Sequence, residues 1–252
     1  NGENTDMTLE DMMPQKNGNS YTMKDWQDDD WDWLIYQITV SELKTVIKDG
    51  YFKTAAIKSI GKPEYVDLDG PLGLNTRVTG TTQCEFVAYP SATVLAQTWD
   101  TALAYAMGLS VGNEAKSMQG LRGWYAPGAN IHRNPFCGRN GEYYSEDGVL
   151  SGKMAAGAVR GAKDMGVYSY VKHFVANESE TFREGLYTFM TEQTLREIYL
   201  KPFEIVTKEG GGNALMTSMN RLGRVWSGAN YGLCTEILRN EWKFLRISVQ
   251  RP

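Results

Sequence analysis

The chain has 252 residues, of which 42% are hydrophobic, and a formal net charge of −4. This length suits one large domain, and mild acidity without a basic stripe argues against a nucleic-acid partner. The sequence contains no apolar run of about 18 residues, which argues against a membrane span.

Three cysteines, Cys84, Cys137 and Cys234, are widely spaced along the chain. Their odd number and spacing predict neither a disulfide framework nor a metal site, and we expect no cofactor. This cysteine usage favours a reducing compartment. We therefore expect a cytoplasmic protein, with secretion as the alternative.

We interpret residues 1–40 as an N-terminal arm or linker with an acidic, tryptophan-rich segment, followed by one domain over residues 41–252. In the arm, residues 28–30 are all aspartate and lie between Trp26 and Trp31. A solvated acidic face is the favoured interpretation. Calcium binding is the alternative, but the segment lacks the ligand-spaced loop that calcium sites have.

The predicted domain begins with a helix. A capping pattern starts at Ser41, and Gly50 ends the helix. Its apolar positions at helical spacing are Leu43, Val46 and Ile47.

A strand is then predicted over Tyr65–Leu68, where the residues alternate as in a strand. Asp69 lies at the end of this strand, just before a Gly-Pro turn. Two interpretations of Asp69 remain open. It caps the turn, or it is a carboxylate at the mouth of a barrel strand that accepts hydrogen bonds from a ligand.

Helices and strands alternate through the rest of the chain. The predicted elements are a helix over 97–112, a strand over 123–126, a helix over 145–165, a strand over 166–171, a helix over 191–209, a strand over 214–220 and a helix over 230–242. In the first of these helices an apolar stripe of Leu103, Ala104, Met107 and Leu109 is predicted to be core. Repeated β/α alternation predicts a parallel sheet, with the site built by polar residues just past the strand ends.

Residues 124–147 form a long polar loop that contains Arg133 and Arg139 among glycines, aromatics and acids. The planar guanidinium fork suits vicinal oxygens or a carboxylate of a ligand. The alternative is that these arginines and acids pair with one another and only hold the loop.

Six ordered motifs between Tyr65 and Trp242 resemble glycoside hydrolase family 3, the β-glucosidase-like enzymes. They are DGPLG from Asp69, SATVLAQTWD from Ser91, the loop containing GRN and SED, KHFVANESETFR from Lys172, LREIYLKPFE from Leu195 and ILRNEW from Ile237. The resemblance implies a (β/α)8-type (TIM) barrel and retaining hydrolysis of terminal non-reducing β-D-glucosyl residues. It also implies substrate binding by residues matching the family's set, namely Asp69, Arg139, Lys172, His173 and the position of Met219.

The chain departs from the family pattern in three places. Asn75 stands where an arginine is often found, and Met219 stands where the family usually has tyrosine. After Phe244 the resemblance stops abruptly, and ungapped counting puts Arg251 where the nucleophilic aspartate belongs. We interpret this as a shifted frame or a truncation, and we expect neither the nucleophile nor the acid/base glutamate in this chain.

The barrel is therefore expected to be incomplete at its C-terminal strands. An open edge would be covered by a second polypeptide or by self-association. The first hypothesis is that this chain is part of a β-glucosidase and binds a small sugar or β-glucoside. The alternative is a non-catalytic sugar-binding or assembly subunit, or a truncated fragment.

Overall fold

The structure, a computed structural model, describes residues 35–75 and 86–244 and the backbone of residues 247–249. The chain divides into two compact units, residues 1–67 and residues 68–252. Several sequence predictions fall outside the described residues: the N-terminal arm as far as residue 34 with its acidic run, Cys84 and Arg251.

In the first unit, Thr39 begins helix α1 (Val40–Lys48). The Thr39 hydroxyl oxygen accepts a hydrogen bond from the Glu42 backbone N–H at 3.2 Å, and Glu42 Oε2 accepts one from the Thr39 N–H at 3.0 Å. The prediction that the cap begins at Ser41 is wrong by two residues. In a capping box the glutamate lies three residues after the cap, and Glu42 therefore selects Thr39.

A small apolar cluster of Ile38, Ile57 and Ile60 packs against Leu43 and Val46 of α1. The third apolar position predicted for this helix face, Ile47, is 83% exposed. Strand β1 (Lys53–Thr54) pairs antiparallel with β2 (Tyr65–Asp69). The strand predicted over Tyr65–Leu68 is thereby confirmed, and its last two residues belong to the second unit.

The main sheet of the second unit continues from β2 through β3 (Leu121–Tyr125), β4 (Tyr168–Phe174), β6 (Ala214–Thr217) and β9 (Ile247–Val249), in that spatial order. The pairs β3–β4, β4–β6 and β6–β9 are all parallel. All four residues of β6 and six of the seven in β4 are buried, as expected for a parallel sheet covered on both faces.

Helices occupy the intervals between these strands. They are α2 (Ala92–Ala96), α3 (Thr101–Ala115), α4 (Gly148–Asp164), α5 (Lys201–Glu209), which follows the helical segments Glu192–Thr194 and Leu195–Tyr199, and the π-helix Gly232–Glu241. The β/α alternation read from the sequence is confirmed in an α/β fold. A second, three-stranded sheet is formed by β5 (Tyr187–Thr188), β7 (Arg221–Leu222) and β8 (Val225–Trp226).

Helices α3 and α4 pack through glycines. A methyl group added at Gly161 would lie 2.2 Å from the Tyr105 carbonyl oxygen, so only glycine permits this approach. The close packing also decides which face of α3 is buried. Ala104 is fully buried, whereas Leu103, predicted to be core, is 47% exposed. Among the described residues, no helix is both long and apolar enough to cross a bilayer.

Candidate functional site

Lys172 lies near the C-terminal end of β4 and is the centre of a charged cluster. Its side chain is only 2% exposed. The ammonium nitrogen lies 2.7 Å from Asp69 Oδ1 and 3.2 Å from Glu142 Oε1. The Asp69 contact is a hydrogen bond, whereas the Glu142 contact is an ion pair without hydrogen-bond geometry. A buried ammonium needs such partners, because desolvation alone would favour its neutral form.

The position of Asp69 follows from the turn that ends β2. Asp69 Oδ1 accepts a hydrogen bond from the Gly70 N–H at 2.9 Å, and the Asp69 carbonyl accepts one from the Asn75 N–H at 2.7 Å. Gly70 has φ +135°, a conformation that L side chains rarely adopt. The interpretation that Asp69 caps the turn is therefore confirmed. Its carboxylate also accepts a hydrogen bond from Lys172, and its role in binding a ligand stays a prediction.

Arg139 and His173 meet near the C-terminal end of β4, as Asp69 and Lys172 do. Arg139 Nη1 lies 2.7 Å from His173 Nε2. Because arginine can only donate, Nε2 must be the unprotonated, accepting nitrogen, and His173 is neutral with its proton on Nδ1.

The other ring nitrogen of His173 contacts Tyr143. His173 Nδ1 lies 3.2 Å from Tyr143 Oη, which also accepts from Asn177 Nδ2 at 3.1 Å. Burial raises the pKa of Tyr143 well above its ordinary value, so the phenol stays protonated and donates to the Asn177 carbonyl at 3.3 Å. Asn130 pairs with the His173 backbone through two hydrogen bonds of 2.6 and 2.9 Å. These contacts fix both the ring and the main chain of His173.

Acidic side chains complete the cluster around Arg139. Its Nε lies 3.1 Å from Glu142 Oε2 and 3.7 Å from Glu180 Oε2. Burial by itself lowers the pKa of the Arg139 guanidinium, but the nearby carboxylates, Glu142 first, outweigh it and raise that pKa. Arg139 therefore carries its charge at every accessible pH.

The alternative for the loop, that its arginines and acids pair with one another, is partly confirmed by the Arg139–Glu142 pair. The second loop arginine points elsewhere: Arg133 Nη1 donates to Tyr199 Oη at 2.6 Å and ties the loop to a helix. The residues predicted for the site do not include Tyr143, Asn177 or Glu180. Each lies a few residues from a predicted site residue, but nothing in the local pattern indicates where its side chain points.

Met219 lies two residues beyond the end of β6 and is half-buried. In the described part of the chain, Met219 takes no part in the hydrogen bonds and ion pairs that join Asp69, Arg139, Lys172 and His173. Its role in substrate binding stays a prediction. The expectation that Arg251 stands at the position of the nucleophile falls outside the described residues. A cleft of about 510 Å³ borders Glu142 and the loops of residues 70–75 and 86–88.

One further carboxyl group lies beside the cluster. Glu178 follows Asn177 and is hydrogen-bonded to the Asn130 side chain and the Ile131 backbone. Burial raises the pKa of Glu178 from 4.5 to about 8, and those hydrogen bonds only partly oppose the rise. Within the described residues, no group of three or more His, Cys, Asp or Glu side chains could hold a metal ion.

Comparison with known proteins shows where these residues belong. A family model described as the Glycosyl hydrolase family 3 N terminal domain matches residues 42–249. A β-glucosidase of Rhizobium radiobacter is 37% identical over 214 residues, covering 84% of this chain and 26% of the relative.

Solved structures of β-glucosidases also align with this chain. β-Glucosidase 3B from Thermotoga neapolitana, in complex with α-D-glucose, aligns with a TM-score of 0.74 and 40% identity, covering 79% of this chain and 28% of that one. A β-glucosidase from Paenibacillus barengoltzii aligns with a TM-score of 0.82 and 31% identity, covering 95% of this chain and 27% of that one.

The family match also corrects one expectation. The match runs to residue 249, whereas the resemblance in the sequence motifs was expected to end after Phe244. The three residues of β9 pair in parallel with β6, with Ile247 opposite Ala214. A strand therefore follows the last helix, as the β/α alternation requires. The chain spans about a quarter of the length of the relatives it matches, and within that span it belongs to glycosyl hydrolase family 3, whose N-terminal domain it matches.

Proposed function

We propose that this chain forms the sugar-holding part of a β-glucosidase, an enzyme that hydrolyses terminal non-reducing β-D-glucosyl residues with retention of configuration. The observation that carries the proposal is the meeting of Asp69 with Lys172, and of Arg139 with His173, at one end of the sheet. The relatives named β-glucosidase, and the solved neighbour that contains glucose, support this choice of substrate.

The four side chains are suited to a pyranose ring. The Asp69 carboxylate accepts hydrogen bonds, and the Lys172 ammonium has three N–H donors, one of which donates to Asp69 in this structure. Arg139 adds a rigid donor fork, and its contact with His173 places the imidazole beside it. Adjacent hydroxyls each donate and accept, so a mixed set of this kind can bind several at once.

Retaining hydrolysis needs two carboxyl groups about 5–5.5 Å apart, one as nucleophile and one as acid/base. Asp69 and Glu142 both contact Lys172, so each is occupied in an ion pair. We assign neither of them to bond cleavage. The proposal places both catalytic carboxyl groups outside the described residues, in a further part of the enzyme or in another polypeptide.

The same proposal covers the finer architecture. The parallel strands β3, β4, β6 and β9 with their helices are the units of a (β/α)8 barrel. In the described sheet β9 is the last strand, and we propose that a second polypeptide, or another copy of this chain, covers that edge. Native mass spectrometry of the purified chain tests this. A stable lone monomer would contradict it.

The cytoplasmic location also stays a proposal, resting on cysteine usage alone.

The sugar-binding claim is tested by titration calorimetry of the full chain with glucose and gluconolactone. Asp69→Asn keeps the size of the side chain and removes its charge, so we expect binding to weaken at least tenfold. Glu64→Gln changes an exposed glutamate of the first unit in the same way and should leave binding unchanged.

Turnover of a nitrophenyl β-glucoside is measured in parallel. Binding without turnover is the expected result for the chain alone. It also fits the alternative of a non-catalytic sugar-binding subunit, and a partner that restores turnover would favour the enzyme. Absence of sugar binding by the unmodified chain would overturn the proposal. Turnover by the chain alone would show that it contains its own catalytic carboxyl groups.

A further inference from the structure

We propose that Glu142 is a positioning residue that aims both Lys172 and Arg139 at the sugar, a role that rests on the proposed function. One carboxylate would then set the direction of two cations that come from different parts of the fold. Lys172 lies on β4, and Arg139 lies in the loop that follows β3.

The backbone around Glu142 is firmly held. Glu142 ends a 3-10 turn, Asn140–Glu142, and its N–H donates to the Arg139 carbonyl at 2.8 Å. Thr93 Oγ1 of helix α2 lies 2.8 Å from the Asn140 carbonyl oxygen and 3.0 Å from that of Tyr143. Tyr143 itself is fully buried. The Glu142 side chain therefore starts from a rigid base.

The two oxygens of Glu142 are divided between the two cations. Oε2 lies 3.1 Å from Arg139 Nε, and Oε1 lies 3.2 Å from Lys172 Nζ. The side chain is 12% exposed, so water screens these interactions far less than it screens a surface pair. A carboxylate is required here because a neutral amide would present an N–H to one of the two cations.

These contacts decide which donors stay available to a ligand. Glu142 holds the Nε side of the Arg139 guanidinium, while His173 accepts from Nη1. Contacts at two nitrogens fix the plane of the group, whereas one contact would leave it free to turn. Asp69 and Glu142 together likewise restrict the Lys172 ammonium.

Glu180 is the other carboxylate near Arg139, and it is less suited to this role. It lies 3.7 Å from Arg139 Nε, its side chain is 28% exposed, and the same oxygen accepts a 2.5 Å hydrogen bond from Arg183. Of the two, Glu142 makes the shorter and better shielded contact and alone also reaches Lys172.

The test uses Glu142→Gln in the full chain. The matched control is Glu209→Gln, because the one ion pair of Glu209 among the described residues, with Lys153, is exposed. Gluconolactone affinity is measured by titration calorimetry. We expect affinity at least tenfold weaker in Glu142→Gln and unchanged in Glu209→Gln. The NMR signal of the Arg139 Nε–H, assigned with Arg139→Lys, should shift in Glu142→Gln and stay in place in the control, while the backbone amide spectrum is retained.

The outcomes separate this inference from the proposed function. Equal affinity of Glu142→Gln and the unmodified chain would overturn the inference alone. So would weaker affinity with an unmoved Arg139 signal, because the loss would then have another cause. If the unmodified chain does not bind gluconolactone, the proposed function fails and the positioning of Arg139 is decided by its signal.

A second variant covers the case in which Glu142→Gln does not fold. Glu142→Asp keeps the charge and shortens the reach by one methylene, so the carboxylate can no longer bridge both cations. We expect weaker gluconolactone binding and a shifted Arg139 signal, and full affinity in this variant would contradict the inference.

Discussion

Lys172 Nζ lies 2.7 Å from Asp69 Oδ1, although the two residues are 103 positions apart in the chain. The lysine side chain is 2% exposed and the aspartate side chain 18%, so this ion pair is largely removed from water. Removing one member of a buried pair leaves an uncompensated charge, which is strongly destabilising. The contact joins the C-terminal ends of β2 and β4, and the site lies at these strand ends.

Asp69→Ala should lower the free energy of unfolding by about 3 kcal/mol, the low end of the range for breaking a buried pair. The low end applies because Glu142 still lies 3.2 Å from Lys172. Urea unfolding followed by tryptophan fluorescence measures the change. The control Glu64→Ala removes an exposed pair with Lys53 and should cost less than about 1 kcal/mol. Equal costs for the two variants would contradict the burial argument.

Glu178 should make stability fall as the pH rises. Burial raises the pKa of its carboxyl from 4.5 to about 8. Between these two values the unfolded chain has released the proton that the folded chain still binds, so rising pH favours unfolding. The loss begins near pH 4.5, is complete near pH 8 and has an upper bound of about 5 kcal/mol.

Glu178→Gln removes this titration while it keeps the size and hydrogen bonding of the side chain. The variant should match the unmodified chain near pH 4 and become progressively more stable than it up to pH 8. Urea unfolding at a series of pH values measures the difference. Glu184→Gln, an exposed neighbour in sequence, serves as the control. A difference between Glu178→Gln and the unmodified chain that does not grow with pH would contradict the assignment.

Gly161→Ala should destabilise the packing of α3 against α4. The added methyl group would lie 2.2 Å from the Tyr105 carbonyl oxygen, so the helices must move apart. Overpacking costs about 1–3 kcal/mol or more, and the gain in helix propensity from glycine to alanine, about 1 kcal/mol, offsets part of it. We expect a net loss of about 2 kcal/mol in thermal or urea unfolding.

The matched control is Gly141→Ala, because a methyl group there meets nothing within 4 Å. Its stability should stay close to that of the unmodified chain. A Gly161→Ala variant as stable as Gly141→Ala would show that the two helices separate without cost.

The sequence by itself determined the family and the order of the main helices and of strands β2, β3, β4 and β6, but not the short strands β1, β5, β7 and β8 or the strand β9. Periodicity located the helices and strands because burial of one helix face or of a whole parallel strand imposes its own spacing. The predicted helix ending near Met165 is α4, which ends at Asp164. The error at Ser41 came from misplacing a local signal, because Glu42 completes a capping box with Thr39. The exposure of Leu103 arose where the packing of α4, rather than local pattern, selects the buried face of α3.

Only the tertiary structure decided which polar residues meet. Strand ends indicated Asp69, Lys172 and His173, but the carboxylate that bridges Lys172 to Arg139, Glu142, carries no local signal of that contact. Side-chain direction depends on how β2, β4 and the loop after β3 converge, and that convergence is set by non-local packing. Periodicity describes one element at a time, whereas an ion pair across 103 residues exists only once the sheet has formed.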